Sequence, residues 1–476
     1  MIRRWVQAVW MLAAGCHPPA APFEDCLEGM APRTAQPSTC VSEVAEGFVY
    51  STIRDHTLGF TLRCGPDVDG NGIGDLAFNA ASYRPSGDGP WQDSAVFRLD
   101  QPPEGPVFYE DADWWLRGGP RIGTPTIGAL LELIDWADPP GLFFSSREGT
   151  SADLEGAHNL PYLTDGTHEA LDVPDMFRGR TRGAGVGTVH DLFGPGTGPR
   201  LVLHTQDGVS IWNEPPEGPV WQEDAEQLLT SDEIARPLFS FPVSGDLDHD
   251  GFVDMVLRVV PVGGYQPGAP FLLVRFGPLT ADDDNLTERA FRMVAGEDTD
   301  PDATLVRVGD VSGDGVDDLI IGSPLADDRD GWVKIHFGPF RPGGARAIDD
   351  ADVILRPEMP QAFLGVDVAV ADLDGDGHPA LVVSAPQDVY LLEESGPGLV
   401  YVFHTPLSEG ELTMGDAAWV LHGAQRDDSF GRQVESCDTD GDGRDELAIS
   451  ASYHDHDVSS LNGGRIYWLG EVDVPR

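Results

Sequence analysis

The stretch Asp438-Thr-Asp-Gly-Asp-Gly-Arg-Asp-Glu446, followed at once by the apolar run Leu447-Ala-Ile449, decides the fold of this chain. Asp and Gly residues packed closely before a short apolar run predict a tight turn that leads into a buried strand. Four further stretches share this pattern and also precede apolar runs, namely residues 67–75, 246–254, 310–318 and 372–380. The chain therefore contains a repeat.

The spacing of these stretches gives the number of repeats. The last four begin 64, 62 and 66 residues apart (246 to 310 to 372 to 438), whereas the first two are separated by 179 residues (67 to 246). Three periods of about 60 residues fit that gap. Two degenerate copies lie inside it, Asp135-Trp-Ala-Asp-Pro-Pro-Gly141 and Asp191-Leu-Phe-Gly-Pro-Gly196. The spacing predicts seven repeats, which we number one to seven along the chain.

A second recurring segment supports the same repeat boundaries. The segment Asp-Ala followed by three residues and Leu recurs at residues 111–116, 224–229, 350–355 and 416–421, and Glu-Gly-Pro-Val recurs at 104–107 and 217–220. Between loop and marker, strand-like runs such as Val333-Lys-Ile-His-Phe337 appear. Each repeat thus supplies about four short strands.

Repeats of this size predict a ring. A four-stranded unit cannot bury both faces alone, and radial closure protects the strand edges that an open array would expose. The chain ends soon after Arg465-Ile-Tyr-Trp-Leu469, and residues 47–60 parallel residues 418–431. We expect an all-β, seven-bladed β-propeller of four-stranded blades whose last blade is closed by the N-terminal strand.

The order of motifs resembles a known family. Phe430-Gly431, or Phe363-Leu-Gly365 in altered form, precedes the Asp-rich loop, and Gly322-Ser-Pro324 or Ser384-Ala-Pro386 follows it. This order is similar to the FG-GAP repeat of integrin α-subunit propellers and of many bacterial secreted proteins. The resemblance covers about residues 47–470 and implies a propeller that binds partners.

The Asp-rich loops have the chemistry of a calcium site. Calcium takes six to eight oxygen ligands, and side-chain oxygens at loop positions 1, 3, 5 and 9 with a carbonyl at position 7 supply them, while Gly at position 6 permits the turn. We predict about four to five Ca²⁺ ions. The predicted ligands are Asp67, Asp69, Asn71 and Asp75; Asp246, Asp248, Asp250 and Asp254; Asp310, Ser312, Asp314 and Asp318; Asp372, Asp374 and Asp376; and Asp438, Asp440, Asp442 and Glu446.

Loops two, three and six depart from the pattern. Loop six has Ala380 at position 9, which predicts a weaker or water-completed site, and loops two and three are predicted to be empty. The alternative for every loop is an Asp/Gly turn without metal, although bare carboxylates so close together repel one another. An EF-hand is disfavoured because strands flank the loops and position 12 has no consistent Glu.

The N-terminus resembles that of an exported lipoprotein. Arg3 and Arg4 precede an apolar stretch too short to span a bilayer, and Leu12-Ala-Ala-Gly-Cys16 resembles a bacterial lipobox, which implies lipidation of Cys16. An ordinary secretory signal is the alternative. His17 rather than Asp follows Cys16, which by resemblance favours the outer membrane. We predict a signal peptide at 1–15, a Pro/Ala-rich tether at 16–44 and the propeller at 45–476, in an outer-membrane or cell-surface lipoprotein.

The other four cysteines would meet an oxidising compartment. Four cysteines allow three pairings. Cys64 and Cys437 stand just ahead of the Asp loops of repeats one and seven, which are neighbours only if the ring closes. We therefore predict Cys64–Cys437 across the seam and Cys26–Cys40 within the tether.

Composition and motifs limit the function. The formal charge of −50, with 30 Lys and Arg against 80 Asp and Glu, disfavours nucleic acid. The sequence has no nucleophile elbow, zinc-protease, P-loop or dinucleotide motif. We expect a binding or adhesion module for an extracellular protein or glycan, with membrane contact through the lipid only. The alternative is a carbohydrate-active enzyme with its site at the central channel.

Two further segments are candidates for binding. Residues 142–182, with Trp114, Trp115 and Trp136 nearby, could form a partner surface, although buried blade aromatics are the commoner explanation. The stretch Tyr453-His-Asp-His-Asp457 could bind a transition metal, although an exposed polar loop is the simpler interpretation.

Overall fold

The computed structural model describes residues 37–52, 56–80, 95–117, 126–134, 141–147, 156–161, 167–169, 177–178, 185–205, 208–214, 220–221, 224–237, 243–262, 264, 267–296, 305–387, 396–455, 462–470, 472 and 474–475. Regular structure in these residues is almost all β. The helical segments are α1 (Val41–Val44) and α2 (Ala326–Arg329), and short 3-10 turns occur at Tyr109–Asp111, Ile348–Asp350 and Met414–Asp416.

The strands of the first half of the chain are β1 (Thr39–Cys40), β2 (Gly47–Tyr50), β3 (Leu58–Cys64), β4 (Leu76–Ala80), β5 (Ala95–Leu99), β6 (Pro106–Phe108), β7 (Trp114–Arg117), β8 (Thr126–Ile134), β9 (Gly141–Arg147), β10 (Gly156–Pro161), β11 (Thr167–Glu169), β12 (Phe177–Arg178), β13 (Gly185–His190), β14 (Pro199–Thr205), β15 (Gly208–Trp212), β16 (Val220–Trp221) and β17 (Gln227–Leu229).

The strands of the second half are β18 (Ile234–Pro237), β19 (Val243–Gly245), β20 (Asp254–Pro261), β21 (Pro270–Arg275), β22 (Phe291–Val294), β23 (Leu305–Gly309), β24 (Asp318–Ser323), β25 (Trp332–His336), β26 (Ala345–Ala347), β27 (Val353–Arg356), β28 (Val368–Ala371), β29 (Ala380–Ala385), β30 (Leu399–Phe403), β31 (Gly410–Thr413), β32 (Trp419–His422), β33 (Phe430–Cys437), β34 (Glu446–Ala451) and β35 (Arg465–Leu469).

These strands form the blades of a β-propeller, as predicted, but six blades rather than seven. Each blade carries the number of its repeat. Blade 1 contains β3, β4, β5 and β7; blade 3, β13 to β15 and β17; blade 4, β18 to β22; blade 5, β23, β24, β25 and β27; blade 6, β28, β29, β30 and β32; and blade 7, β33, β34, β35 and β2. Within each blade, the strands that pair with each other are antiparallel, and in blade 4 both β18 and β19 pair with β20.

The expectation of seven four-stranded blades is wrong at repeat two. The described residues of that repeat give the three-stranded sheet β8, β9 and β10. Its strand β11 covers the outer edge of blade 1, and its strand β12 pairs parallel with β16 in a separate two-stranded sheet. This repeat also lacks both the Asp-loop pattern and the Asp-Ala marker that position the outer strand elsewhere.

The ring closes through the N-terminal strand. Strand β2 pairs antiparallel with β35, with Gly47 opposite Trp468 and Tyr50 opposite Arg465. Blade 7 is thus built from both ends of the propeller sequence. A blade whose strands come from both ends holds the first and last repeats together without a covalent link.

A short parallel strand covers the outer edge of five blades. Blades 1, 4, 5, 6 and 7 are covered in turn by β11, β26, β31, β1 and β6. Four of these five strands come from the repeat that follows, and β1 precedes the N-terminal strand. The Glu-Gly-Pro-Val fragment at 104–107 runs into β6, and the Asp-Ala marker forms the turn after it. The markers therefore join each blade to its neighbour.

The Phe-Gly motif and the Gly/Ser-x-Pro motif meet between blades. A Cβ built on Gly322 of blade 5 would lie 2.4 Å from the carbonyl oxygen of Gly365 of blade 6. The same contact recurs between Ser384 and Gly431, and between Ser450 and Gly59, with the built glycine Cβ 3.2 Å and 3.0 Å from the serine Cβ. Only small residues permit the inner strands to approach so closely.

The apolar core lies between neighbouring blades. Ile320 and Val333 of blade 5 pack in one cluster with Leu381 and Tyr401 of blade 6. Equivalent clusters join blades 3 and 4, and blades 4 and 5. Each fully buried side chain of this size contributes about 1.5–3 kcal/mol. Burial between blades, rather than within one, explains why a single repeat cannot fold alone.

The propeller begins before residue 45. The tether was predicted to extend to residue 44, but Thr39 and Cys40 form β1, and Val41 in α1 is fully buried. Cys40 is disulfide-bonded, and its predicted partner Cys26 lies outside the described residues, as do Cys16 and the signal segment.

Candidate metal centre in the Asp-rich loops

Loops one, four, five, six and seven share one backbone arrangement. In each, the carboxylate at position 1 accepts the backbone N–H groups of positions 5 and 6. In loop four, for example, Asp246 Oδ1 accepts the N–H of Asp250 at 3.1 Å and Asp246 Oδ2 accepts that of Gly251 at 3.0 Å. Loops one, five, six and seven repeat these bonds. In loops four and six this shared turn brings the carboxylates of positions 1, 3 and 5 together.

Position 6 requires glycine. Its φ is between 82° and 91° in all five loops, in the left-handed region that side chains with a Cβ disfavour. A Cβ built on Gly251 would meet nothing within 4 Å, so backbone conformation and not space selects glycine here.

Position 9 closes the loop from the following strand. Asp254 is fully buried, and its carboxylate accepts the N–H of Leu247 and the N–H of Gly277, both at 2.9 Å. Asp318 in loop five and Glu446 in loop seven accept the equivalent bonds within their loops. In loop six this position is Ala380, which supplies no such acceptor.

Three loops bring three carboxylates within reach of one ion. One oxygen from each member of the set lies within 4.8 Å of the others in Asp246/Asp248/Asp250, Asp372/Asp374/Asp376 and Asp438/Asp440/Glu446. Asp442 and Asp254, also predicted as ligands, lie outside these three sets. The sets of loops one and five contain an amide or a hydroxyl in place of one carboxylate. In loop one, Asn71 Nδ2 donates to the carbonyl of Asp100 at 2.6 Å.

Burial makes the loop carboxylates costly to ionise without a cation. It raises the pKa of Asp75 and of Asp254 to about 7 and that of Asp318 to about 6, although backbone N–H donors oppose the shift in each case. Burial also raises the pKa of Glu446. A bound cation would favour the charged forms.

Among the described residues of the Asp-rich loops, two buried carboxylate oxygens have no hydrogen-bond donor. Asp75 is fully buried, and its Oδ1 is without a partner, whereas the corresponding oxygen of Asp254 accepts the N–H of Gly277. Asp248 Oδ1 is also buried and unpartnered. Unsatisfied anionic oxygens beside further carboxylates fit a hard cation with oxygen ligands.

Position 8 was missed by the sequence analysis. Asp317 Oδ2 in loop five accepts the backbone N–H of Asp246 at 2.8 Å, and Asp445 Oδ2 in loop seven accepts that of Asp372 at 2.7 Å. Asp317 therefore caps loop four of the preceding repeat, and Asp445 caps loop six of the preceding repeat. The signal in the sequence is the acidic doublet at positions 8 and 9, Asp317-Asp318 and Asp445-Glu446.

The seam between blades 7 and 1 contains a disulfide. Cys64 and Cys437 are bonded, with 6.1 Å between their Cα atoms. This is the pairing that the sequence analysis favoured. Each cysteine ends the strand that leads into its Asp loop.

The His-rich and Trp-rich candidates have internal partners. His454 is buried rather than exposed, and its Nδ1 lies 3.1 Å from Asp428 Oδ1. Trp114 is 3% exposed, and Trp115 stacks on Phe97 with 6.3 Å between ring centroids. These are blade residues. Trp136, loop two at 135–140, His456 and Asp457 lie outside the described residues.

Four charged side chains meet at the inner strands of blades 1, 5, 6 and 7. Arg63 donates to Glu435, Arg307 NH2 donates to Asp367 Oδ1 at 2.9 Å, and the same Arg307 nitrogen lies 4.0 Å from Glu435. Burial raises the pKa of Glu435, and the two arginines oppose the shift. Both carboxylates therefore face guanidinium groups.

Two segments of the chain match a known repeat family. The FG-GAP repeat family matches residues 364–403 and 430–468, which cover the inner strands and Asp loops of blades 6 and 7. The chain contains FG-GAP repeats at these positions. Integrin α subunits are homologues of part of the chain. Among the described residues, no helix is long and apolar enough to cross a membrane.

Three curated relatives match part of the chain. Integrin alpha-V of Gallus gallus is 28% identical over 157 residues, 33% of this chain and 14% of the relative. Integrin alpha-IIb of Homo sapiens is 33% identical over 105 residues, 21% of this chain and 10% of the relative. Phosphatidylinositol-glycan-specific phospholipase D of Dictyostelium discoideum is 24% identical over 246 residues, which are 47% of this chain and 26% of the relative. The matches cover about a quarter or less of these relatives.

Proposed function

We propose that this protein is an exported, calcium-stabilised propeller that binds an extracellular protein or a glycan. The similarity to integrin α subunits supports the binding role. The unpartnered buried oxygens of Asp75 and Asp248 support the calcium role most directly. The ion serves stability, because a cation that binds only the folded loops stabilises them by mass action and relieves the repulsion among carboxylates.

Metal content and thermal melting test the calcium role. About four to five Ca²⁺ ions per chain, a melting temperature that falls in EGTA, and recovery on adding CaCl₂ are the expected results. An apoprotein that melts identically with and without calcium would contradict the proposal.

A matched pair of variants localises the effect. Asp248→Asn removes an anionic oxygen from loop four and should lower the calcium content by about one ion. Asp282→Asn changes an exposed carboxylate outside the loops and should leave the content unchanged. Equal calcium content in the two variants would remove loop four from the proposed sites.

The binding role is favoured over carbohydrate hydrolysis. Glycosidases use a pair of carboxyl groups, one protonated and one free to act as base or nucleophile. Asp367 and Glu435, the paired carboxylates described at the inner strands, are each neutralised by an arginine. A glycan and extracellular-protein array, run beside a hydrolysis assay on a polysaccharide panel, separates the two functions. Turnover of any polysaccharide would reverse the preference.

The anchor is proposed from the sequence. The Leu12-Ala-Ala-Gly-Cys16 motif supports export, lipidation of Cys16, and attachment to the outer membrane or cell surface. Expression with radiolabelled palmitate should label the wild type and leave Cys16→Ser unlabelled. Label in both proteins, or in neither, would contradict lipidation at Cys16.

A further inference from the structure

Neighbouring Asp loops are joined by paired hydrogen bonds. The Asp246 backbone N–H of loop four donates to the Asp317 carboxylate of loop five at 2.8 Å, and the Asp317 N–H donates back to the Asp246 carbonyl at 3.3 Å. Asp246 is a predicted ligand at position 1, and Asp317 is adjacent to Asp318 at position 9. The backbones that carry ligands of two loops are thus held together.

Loops six and seven are joined in the same way. The Asp372 N–H donates to Asp445 Oδ2 at 2.7 Å, and the Asp445 N–H donates to the Asp372 carbonyl at 2.8 Å. Here too the pair links position 1 of one loop to position 8 of the next.

The seam between loops seven and one differs. Position 8 of loop one is Gly74, which has no carboxylate, and its N–H donates to the Thr439 carbonyl at 2.7 Å. A Cβ on Gly74 would lie 2.6 Å from the carbonyl oxygen of Gly65, so an aspartate does not fit. The Cys64–Cys437 disulfide joins the two loops instead. Cys437 immediately precedes Asp438, and Cys64 lies three residues before Asp67.

We propose that the Cys64–Cys437 disulfide is a redox-sensitive latch that couples cation binding in loops one and seven, so that its reduction weakens both sites. This inference rests on the proposed calcium function. The disulfide takes the place of the carboxylate that joins loops four and five and loops six and seven. A dithiol supplies the two electrons and two protons that convert the disulfide to two cysteine thiols, and is itself oxidised to a disulfide.

Coupling of this kind is reciprocal. If the disulfide holds loops one and seven in the form that binds calcium, bound calcium must favour the disulfide by the same factor. Both loops are on the exposed surface, and Cys64 and Cys437 are half-buried, so a small dithiol has access. Calcium should therefore shift the equilibrium with a dithiol towards the disulfide.

The first test uses the purified full chain. It is equilibrated with graded ratios of reduced to oxidised dithiothreitol in CaCl₂ or in EGTA, free thiols are alkylated, and peptides with Cys64, Cys437 and Cys40 are quantified by mass spectrometry. Calcium should lower the equilibrium constant for reduction of the Cys64–Cys437 bond at least about fivefold. Cys40 is the internal control, since its disulfide lies in the N-terminal segment against blade 6 and should respond less. Equal calcium effects on all three cysteines would indicate general protection by folding and overturn the proposal.

The second test measures affinity by calorimetry in two backgrounds. One retains loops one and seven (Asp250→Ala, Asp314→Ala, Asp376→Ala), and the other retains loops four and five (Asn71→Ala, Asp376→Ala, Asp440→Ala). Adding Cys64→Ser with Cys437→Ser should weaken calcium binding at least about fivefold in the first background and leave the second unchanged. Circular dichroism checks that each variant is folded.

The outcomes separate the latch from the calcium function. Calcium binding with the same affinity in both cysteine states overturns the latch alone. A wild-type chain that binds no calcium overturns the proposed calcium function and the latch with it. If the cysteine variants do not fold, the reduction equilibrium of the wild-type chain in calcium and in EGTA decides.

Discussion

Gly365 of blade 6 lies directly against Gly322 of blade 5, and a Cβ built on Gly322 would stand 2.4 Å from the Gly365 carbonyl oxygen. Gly365 has a φ of 84°, and its N–H donates to the Ser384 carbonyl within its own blade at 2.9 Å. The glycine of one motif and the small residue of the other are therefore the two sides of one contact between blades. This contact explains why small residues occupy these two positions of the FG-GAP motif.

Gly322→Ala should destabilise the propeller. The obstacle to the new methyl group is backbone, which cannot rotate away, so we expect a loss of about 1–3 kcal/mol in the free energy of unfolding. Gly415→Ala is the control, because its Cβ meets only the ends of flexible side chains, 3.0 Å from Glu358 Oε1 and 3.2 Å from Thr413 Oγ1. Urea denaturation measures both. Equal stability of the two variants would refute the packing argument.

Ala380→Asp should strengthen the cation site of loop six. The change restores the position-9 carboxylate that loops four and five possess, next to a cavity lined by Asp374, Asp376 and His378. We expect calcium affinity in loop six to rise about tenfold, measured by calorimetry. Ala380→Asn has nearly the same shape without the charge and is the control. An equal gain in both variants would assign the effect to loop closure rather than to the ligand charge.

Glu435→Gln should destabilise the inner strands. Removing the Glu435 charge leaves the positive charges of Arg63 and Arg307 with one carboxylate fewer beside them. Water compensates little for this loss, because the side chains of Arg63 and Glu435 are only 11% and 16% exposed. We expect a loss of about 2–4 kcal/mol. The control is Glu411→Gln, whose side chain is 61% exposed in its pair with Arg356 and should contribute less than about 1 kcal/mol. Similar losses in urea denaturation would contradict a special role for the inner network.

His336 should make stability depend on pH. Burial lowers its pKa to about 3, whereas an unfolded histidine titrates near 6.5. Between these values the unfolded chain binds more protons, so this contribution is complete above about pH 6.5 and is lost as the pH falls. Protonation of His336 in the unfolded chain therefore lowers the free energy of unfolding by about 2 kcal/mol between pH 7 and pH 5.

The variant His336→Leu tests this sign. Measured in EGTA, its loss of stability between pH 7 and pH 5 should be about 2 kcal/mol smaller than that of the wild type. Carboxylates such as Asp254, with a pKa raised to about 7, act in the opposite direction but are common to both proteins. Val333→Ala removes buried volume without a titrating group, and its destabilisation should be the same at both pH values. An unchanged pH slope in His336→Leu would contradict the prediction.

Much of the fold could be predicted from the sequence because the repeat is local. Asp, Gly and the apolar run that follows them determine a turn and a buried strand with short-range forces, and regular spacing multiplies the signal. The all-β class, the propeller and the FG-GAP resemblance were therefore predicted correctly. The blade number was not, since repeat two has lost the loop pattern, and its strand β12 pairs with β16 in a separate sheet instead of extending the sheet of β8, β9 and β10.

The sequence alone determined the positions of the Asp loops, the glycines that their left-handed turns require, and the pairing of Cys64 with Cys437 as the favoured hypothesis. Only the tertiary structure decided that Asp317 and Asp445 cap loops of other repeats, that Asp75 retains an unpartnered buried oxygen, and that Arg63, Arg307, Asp367 and Glu435 meet at the inner strands. The reason is distance along the chain. These contacts join residues 60 to 372 positions apart, so they depend on how the blades are arranged and not on local sequence pattern.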